Sequence, residues 1–120
     1  MLAALAEFPD RIKNLFISTK LSTYGVYGCN ITMNGAKCTV MVDDYIPCKK
    51  DKYGKFSPSF SSANGNELWV IILEKIWAKV HGDYVKIIGG LSHQAFRDMT
   101  GAPSYMYDTR ITKDLWKILF

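Results

Sequence analysis

Between residues 2 and 16 the apolar side chains Leu2, Leu5, Phe8, Ile12, Leu15 and Phe16 recur every three or four positions, a helical period that Pro9 interrupts. Two short helices broken at Phe8-Pro9 are predicted. Nothing ahead of Leu2 supplies a capping Ser, Thr, Asp or Asn, so the first helix is expected to start as a cut end. Residues 26–33 and 37–42 then flank Asn34-Gly35, a dipeptide whose tolerance of positive φ suits a two-residue hairpin turn. With that turn, Met33 faces Ala36 and Ile31 faces Cys38. Cys38, Val40 and Val42 form the inward face, against Lys37, Thr39 and Met41 outward. Cys29 and Cys38 are not opposed, which argues against a cross-strand disulfide.

Residues 47–65 read as a polar, Lys- and Ser-rich loop leading into the strongest helix signal in the chain. Asn64 is a candidate N-cap with Glu67 three positions on, the spacing of a capping box. Trp69, Ile72, Leu73, Ile76, Trp77 and Val80 then form one stripe that Leu68 and Ile71 widen, which predicts a helix buried on more than one side. Lys79 and His81 suit its negative end, and Gly82 suits a left-handed stop. Beyond it, residues 84–88 read as a short strand, 92–99 as a helix capped by Ser92, 104–107 as extended, and 111–120 as the start of a further helix. That helix too is expected to end as a cut through an apolar repeat.

Composition narrows the picture. With 120 residues, 48% apolar and 22% charged, the chain has enough material to bury roughly two-thirds of its unfolded surface, which excludes a disordered or low-complexity protein. The longest apolar run, residues 68–73, is far short of the about twenty a membrane span needs, and the acid at Glu7 comes too early for a secretory signal. A cytoplasmic location is expected. Cys29, Cys38 and Cys48 are odd in number and lack the close pairing of a zinc site. The net charge of +4 is concentrated in Lys49, Lys50, Lys52 and Lys55 without a continuous basic face, so no nucleic-acid partner is indicated.

Individual residues offer little chemistry. His81 and His93 are twelve apart, with no Cys or acid at metal-binding spacing. Asp43 and Asp44, adjacent in an extended segment, point to opposite sides and are expected to cap loop amides or pair with a lysine. Gly89-Gly90 lacks the Lys-Ser/Thr of a phosphate loop. Trp69 and Trp77 lie on the buried stripe and read as core.

The order of segments carries more. Val40-Met41-Val42-Asp43-Asp44-Tyr45-Ile46-Pro47 is followed by the Glu67-Leu68-Trp69 helix with Leu73-Glu74-Lys75 and Ala78-Lys79, then Gly82-Asp83-Tyr84, Gly89-Gly90 and Thr100-Gly101. This succession, over about three-quarters of the chain, resembles the protease core of the calpains, calcium-dependent cysteine endopeptidases with a papain-like fold.

The resemblance implies an α+β fragment of that core, mostly its helix-rich, Cys-bearing half with a β-hairpin. About 1–100 would be that half without its nucleophile, and about 101–120 the start of the His/Asn-bearing half. The family's nucleophile would lie one or two turns before Leu2, and its His and Asn beyond the helix starting near Ile111. No residue of this chain matches a catalytic position, Cys29, Cys38, Cys48, His81 and His93 included. Glu67 matches a family glutamate that ligates calcium, its companions lying upstream of the nucleophile; as a property of this chain alone, capping is the rival role. Gly89 and Gly90 match the Gly-Gly beside the cleft, where lack of a side chain lets an extended substrate approach; an ordinary turn is the alternative. Thr100-Gly101 falls near the junction of the halves, with Ala102 where the family usually has a second glycine. The implied activity is intracellular proteolysis of protein substrates by a thiolate lowered in pKa at a helix N-terminus, with calcium aligning the two halves. The fragment alone is expected to be inactive, and a calpain-like binding or scaffold module is the alternative.

Overall fold

A computed structural model describes residues 2–63, 65–112 and 114–119. The candidate cap Asn64, and Lys113 and Phe120 of the predicted last helix, lie outside the described residues. The chain runs α1 (Leu2–Ala6), α2 (Pro9–Leu15), β1 (Val26–Met33), β2 (Ala36–Asp43), β3 (Cys48–Lys50), β4 (Phe56–Pro58), α3 (Trp69–His81), a 3-10 turn (Val85–Ile87), α4 (Ser92–Thr100) and α5 (Leu115–Leu119).

The break at Phe8-Pro9 is where the sequence places it. Proline lacks an N–H and fixes φ near the helical value, so it opens α2 at a position where no intrahelical donor is needed. After α2 the chain turns alongside β1, with the Ile17 amide donating to the Gly28 carbonyl at 2.9 Å. β1 and β2 pair antiparallel with Met33 opposite Ala36 and Ile31 opposite Cys38. Asn34 (φ 51°) and Gly35 (φ 82°) both take the left-handed backbone this turn requires.

The core gathers side chains from distant elements. Leu5 of α1, Leu15 of α2, Cys29 and Ile31 of β1, Val42 of β2, Ile72, Leu73 and Ile76 of α3, and Met99 of α4 are buried together. Trp69, Trp77 and Val80 pack partly buried against them, as the apolar stripe predicts. The helix α3 lies on β2 and α4 on β1. α4 ends at Gly101 in the left-handed conformation (φ 71°), whose amide donates to the Arg97 carbonyl at 2.7 Å. Ala102 is not among the positive-φ residues.

Five local readings are corrected. Residues 47–65 contain a second hairpin, β3–β4, with Lys50 opposite Phe56. Residues 84–88 form a 3-10 turn instead of a strand, because the Asp83 carboxylate accepts the Lys86 amide at 2.8 Å and closes the backbone locally. The first turn of α4 already includes Ser92, so Leu91 occupies the capping position and no side chain caps it. α3 starts at Trp69 after Leu68, which places Glu67 ahead of the helix and outside the third helical position a capping box needs. The last helix starts later than predicted, at Leu115, after a turn in which Asp108 Oδ1 accepts the Arg110 amide.

Candidate functional site

Gly89 and Gly90 follow the 3-10 turn and precede α4, and they line an open cleft of about 360 Å³ together with Leu2 of α1, Trp77 and His81 of α3, and Gln94 of α4. Both have positive φ, 84° and 134°. A Cβ added at either would meet open space, so the neighbours do not demand glycine; the backbone conformation does. The result is a stretch of exposed main chain at the cleft's edge with nothing projecting from it. The His81 ring packs against Trp77 at 4.3 Å between centroids. Glu74 also lines this cleft, and its carboxylate is held by Ser61, whose amide and hydroxyl donate at 3.0 and 2.7 Å. α1 and Gly89-Gly90, far apart in sequence, thus meet at one site.

Glu67 lies elsewhere. It is exposed and borders a different groove, of about 430 Å³, formed with Pro9, Ile12, Phe16, Leu68 and Trp69. Its Oε2 accepts the Trp69 indole N–H at 3.3 Å. Glu67 precedes α3 and the glycine pair follows it, so the 13-residue helix, about 20 Å long, separates them. Calcium takes roughly six to eight oxygen ligands. Among the described residues no three His, Cys, Asp or Glu side chains come together as a metal site. A single exposed carboxylate does not fit the ion by itself.

The cysteines and histidines stand apart from any catalytic geometry. Cys29 has no exposed surface, and burial pushes its thiol up to about 12, far from a thiolate at neutral pH. Cys38 is half-buried on the inner face of β2 and Cys48 is exposed on β3. His93 sits in α4, and among the described residues it joins no cluster of three metal-ligating side chains.

Asp43 pairs with a lysine, as its place after a strand suggested. Its carboxylate accepts the Lys75 ammonium and the Tyr45 amide, the latter at 2.8 Å. The hydrogen bond from Lys75, then that from Tyr45, holds Asp43 below the usual carboxylate range. Lys75 also donates to the Tyr45 carbonyl at 2.6 Å, clamping the end of β2 to the middle of α3. The sequence reading missed the stack of Phe60 on Tyr84, 4.5 Å apart, which joins the long loop to the segment after α3; two isolated aromatics carry no signal of their meeting. It also missed a wider cleft of about 780 Å³ where Arg11, Asn30, Thr32, Lys37, Met99 and Thr100 converge from four elements.

The profile of the calpain family cysteine proteases matches residues 1–120. This chain belongs to the calpain family. It is 40% identical over 109 residues to the calpain-type cysteine protease DEK1 of Zea mays, and 37% over the same length to DEK1 of Arabidopsis thaliana. Those alignments cover 90% of this chain and 5% of each relative. It is 36% identical over 96 residues to the calpain-1 catalytic subunit of Rattus norvegicus, covering 79% of this chain and 13% of that protein. The chain therefore spans a small part of the calpains it matches, and its helices and small antiparallel sheets are those of an α+β piece of a calpain protease core. Among the described residues no helix is long and apolar enough to cross a membrane.

Proposed function

We propose that these residues are the scaffold of a calpain-type cysteine endopeptidase acting on intracellular protein substrates, in which the cleft at Gly89-Gly90 receives an extended substrate backbone. The observation that carries the reading is the meeting of Leu2 with Gly89 and Gly90 at one cleft. So read, α1 continues backward by one or two turns from Leu2, and a nucleophilic Cys at that helix N-terminus would face a substrate strand lying along the glycines. In this reading about 1–100 belongs to the Cys-bearing half and about 101–120 opens the His/Asn-bearing half. The 120 residues do not cleave peptides by themselves, since Cys29 is buried with its thiol pushed up to about 12, and among the described residues no hydrogen bond joins Cys38 or Cys48 to a base. Calcium dependence requires oxygen donors additional to Glu67, which would contribute one ligand.

The test is labelling by a thiol-reactive peptide probe. A chain extended at both ends by its natural flanking sequence is expected to be labelled in calcium and spared in chelator, while the 120-residue chain stays unlabelled at any site competed by peptide substrate. A folded extended chain that resists the probe in calcium would overturn proteolysis and leave a calpain-like binding module.

A further inference from the structure

The β3–β4 hairpin is unusual in its charge. Residues 48–58 carry Lys49, Lys50, Lys52 and Lys55 against a single acid, Asp51. That acid is turned inward on the hairpin's own backbone: its Oδ1 accepts the amides of Tyr53 at 2.8 Å and Lys55 at 2.9 Å. None of the four lysines forms an ion pair among the described residues. Interleaved with them are two aromatic rings in water, Tyr53 at 82% exposure and Phe56 at 66%. The Lys50 and Lys52 ammonium groups lie over these rings, at 5.6 Å from Phe56 and 5.0 Å from Tyr53.

The hairpin holds its shape without leaning on the core. Asp51 and Lys55 close its tip through a backbone bond of 2.9 Å, and Ser59 and Pro47 close its base at 2.8 Å. Its lysines line none of the three clefts described above. It is a cationic tip with exposed aromatic rings.

We infer that the β3–β4 hairpin docks on an anionic bilayer surface, its lysines against lipid headgroups and Tyr53 and Phe56 at the level of the interface. Lysines close to such a surface each strengthen binding about fivefold, and aromatic rings favour the headgroup boundary. The rings favour a bilayer over a nucleic-acid strand: strand binders stack bases on free ring faces, whereas Lys50 and Lys52 lie over Phe56 and Tyr53.

The experiment is sedimentation of the full chain with vesicles of phosphatidylcholine and phosphatidylserine, against vesicles of phosphatidylcholine alone. Binding is expected only with phosphatidylserine, and the combined change Lys49→Gln, Lys50→Gln, Lys52→Gln, Lys55→Gln is expected to weaken it by about three orders of magnitude. The four Lys→Arg replacements at the same positions should retain it, which separates lost charge from a disturbed hairpin. Tyr53→Trp should show a blue-shifted emission on phosphatidylserine vesicles. Removing four charges elsewhere, at Lys13, Lys20, Lys37 and Lys117, should cost much less. Equal loss in that control, equal binding to neutral vesicles, or no vesicle binding would overturn the inference. So would binding to a single-stranded oligonucleotide that the four Gln changes abolish while vesicles are ignored.

Discussion

Cys29 and Cys48 have the same side chain and opposite chemistry, because one lies between the sheet and α3 and the other on the outermost hairpin. Burial favours the neutral thiol, so Cys29 is raised from 9.0 to about 12. Under native conditions a thiol reagent at mildly alkaline pH is expected to consume Cys48 first, Cys38 more slowly, and Cys29 only on unfolding; early modification of Cys29 would contradict this core. The pH sign follows from the same shift. The unfolded thiol releases its proton at lower pH than the folded one, so stability is full below about pH 9 and falls as pH rises toward about 12. Tyr84, raised mainly by burial and then by Glu74 and Asp43, acts in the same direction. The inward placing of Cys38 and the lysine partner of Asp43 were legible from alternation and position. That Lys75 would be the partner was not, since residues 32 apart in sequence meet only through the packing of α3 on the hairpin.

The β1–β2 hairpin was readable down to its register because two independent signals agree: alternation along the second arm and a dipeptide suited to positive φ at both turn positions. Gly35 has nothing within 4 Å of an added Cβ, so Gly35→Ala isolates backbone strain from crowding. It is expected to cost about 1–2 kcal/mol in chemical denaturation, with unchanged spectra. A neutral effect would contradict the turn. The β3–β4 hairpin was not readable, because strands of three residues are too short to display alternation and Pro58 speaks against one. The β-branched and aromatic residues at 84–88 looked like a strand by propensity alone. With a local acid to close the turn and no strand beside it among the described residues, propensity lost to capping.

At the scale of the molecule the described architecture is loose. Its accessible surface is 8988 Å², where a folded monomer of 13.6 kDa exposes about 6,600 Å². Its radius of gyration is 16.7 Å against about 14 Å for a compact domain of this length. Large apolar side chains such as Leu21, Val85, Ile88, Ile111 and Trp116 lie exposed. Such a surface matches a part that packs against more protein. The 120-residue chain alone is expected to bind a hydrophobic dye and to associate as its concentration rises in sedimentation velocity; a monomer with a sharp thermal transition and no dye binding would contradict that. The segment order that marks the calpain family is a whole-chain property, and it was legible where individual site residues were not. The cleft was legible only in part, since the glycine pair shows in the sequence but its meeting with Leu2 depends on how α1, α3 and α4 pack.

Hydrogen exchange of the full protein, with and without a peptide inhibitor bound, tests most directly whether this cleft is where substrate lies. Protection is expected to rise together at residues 2–6 and 89–91, leaving the β3–β4 hairpin unchanged. Protection confined to other segments, with both of these unaltered by a bound inhibitor, would contradict the assignment of the cleft.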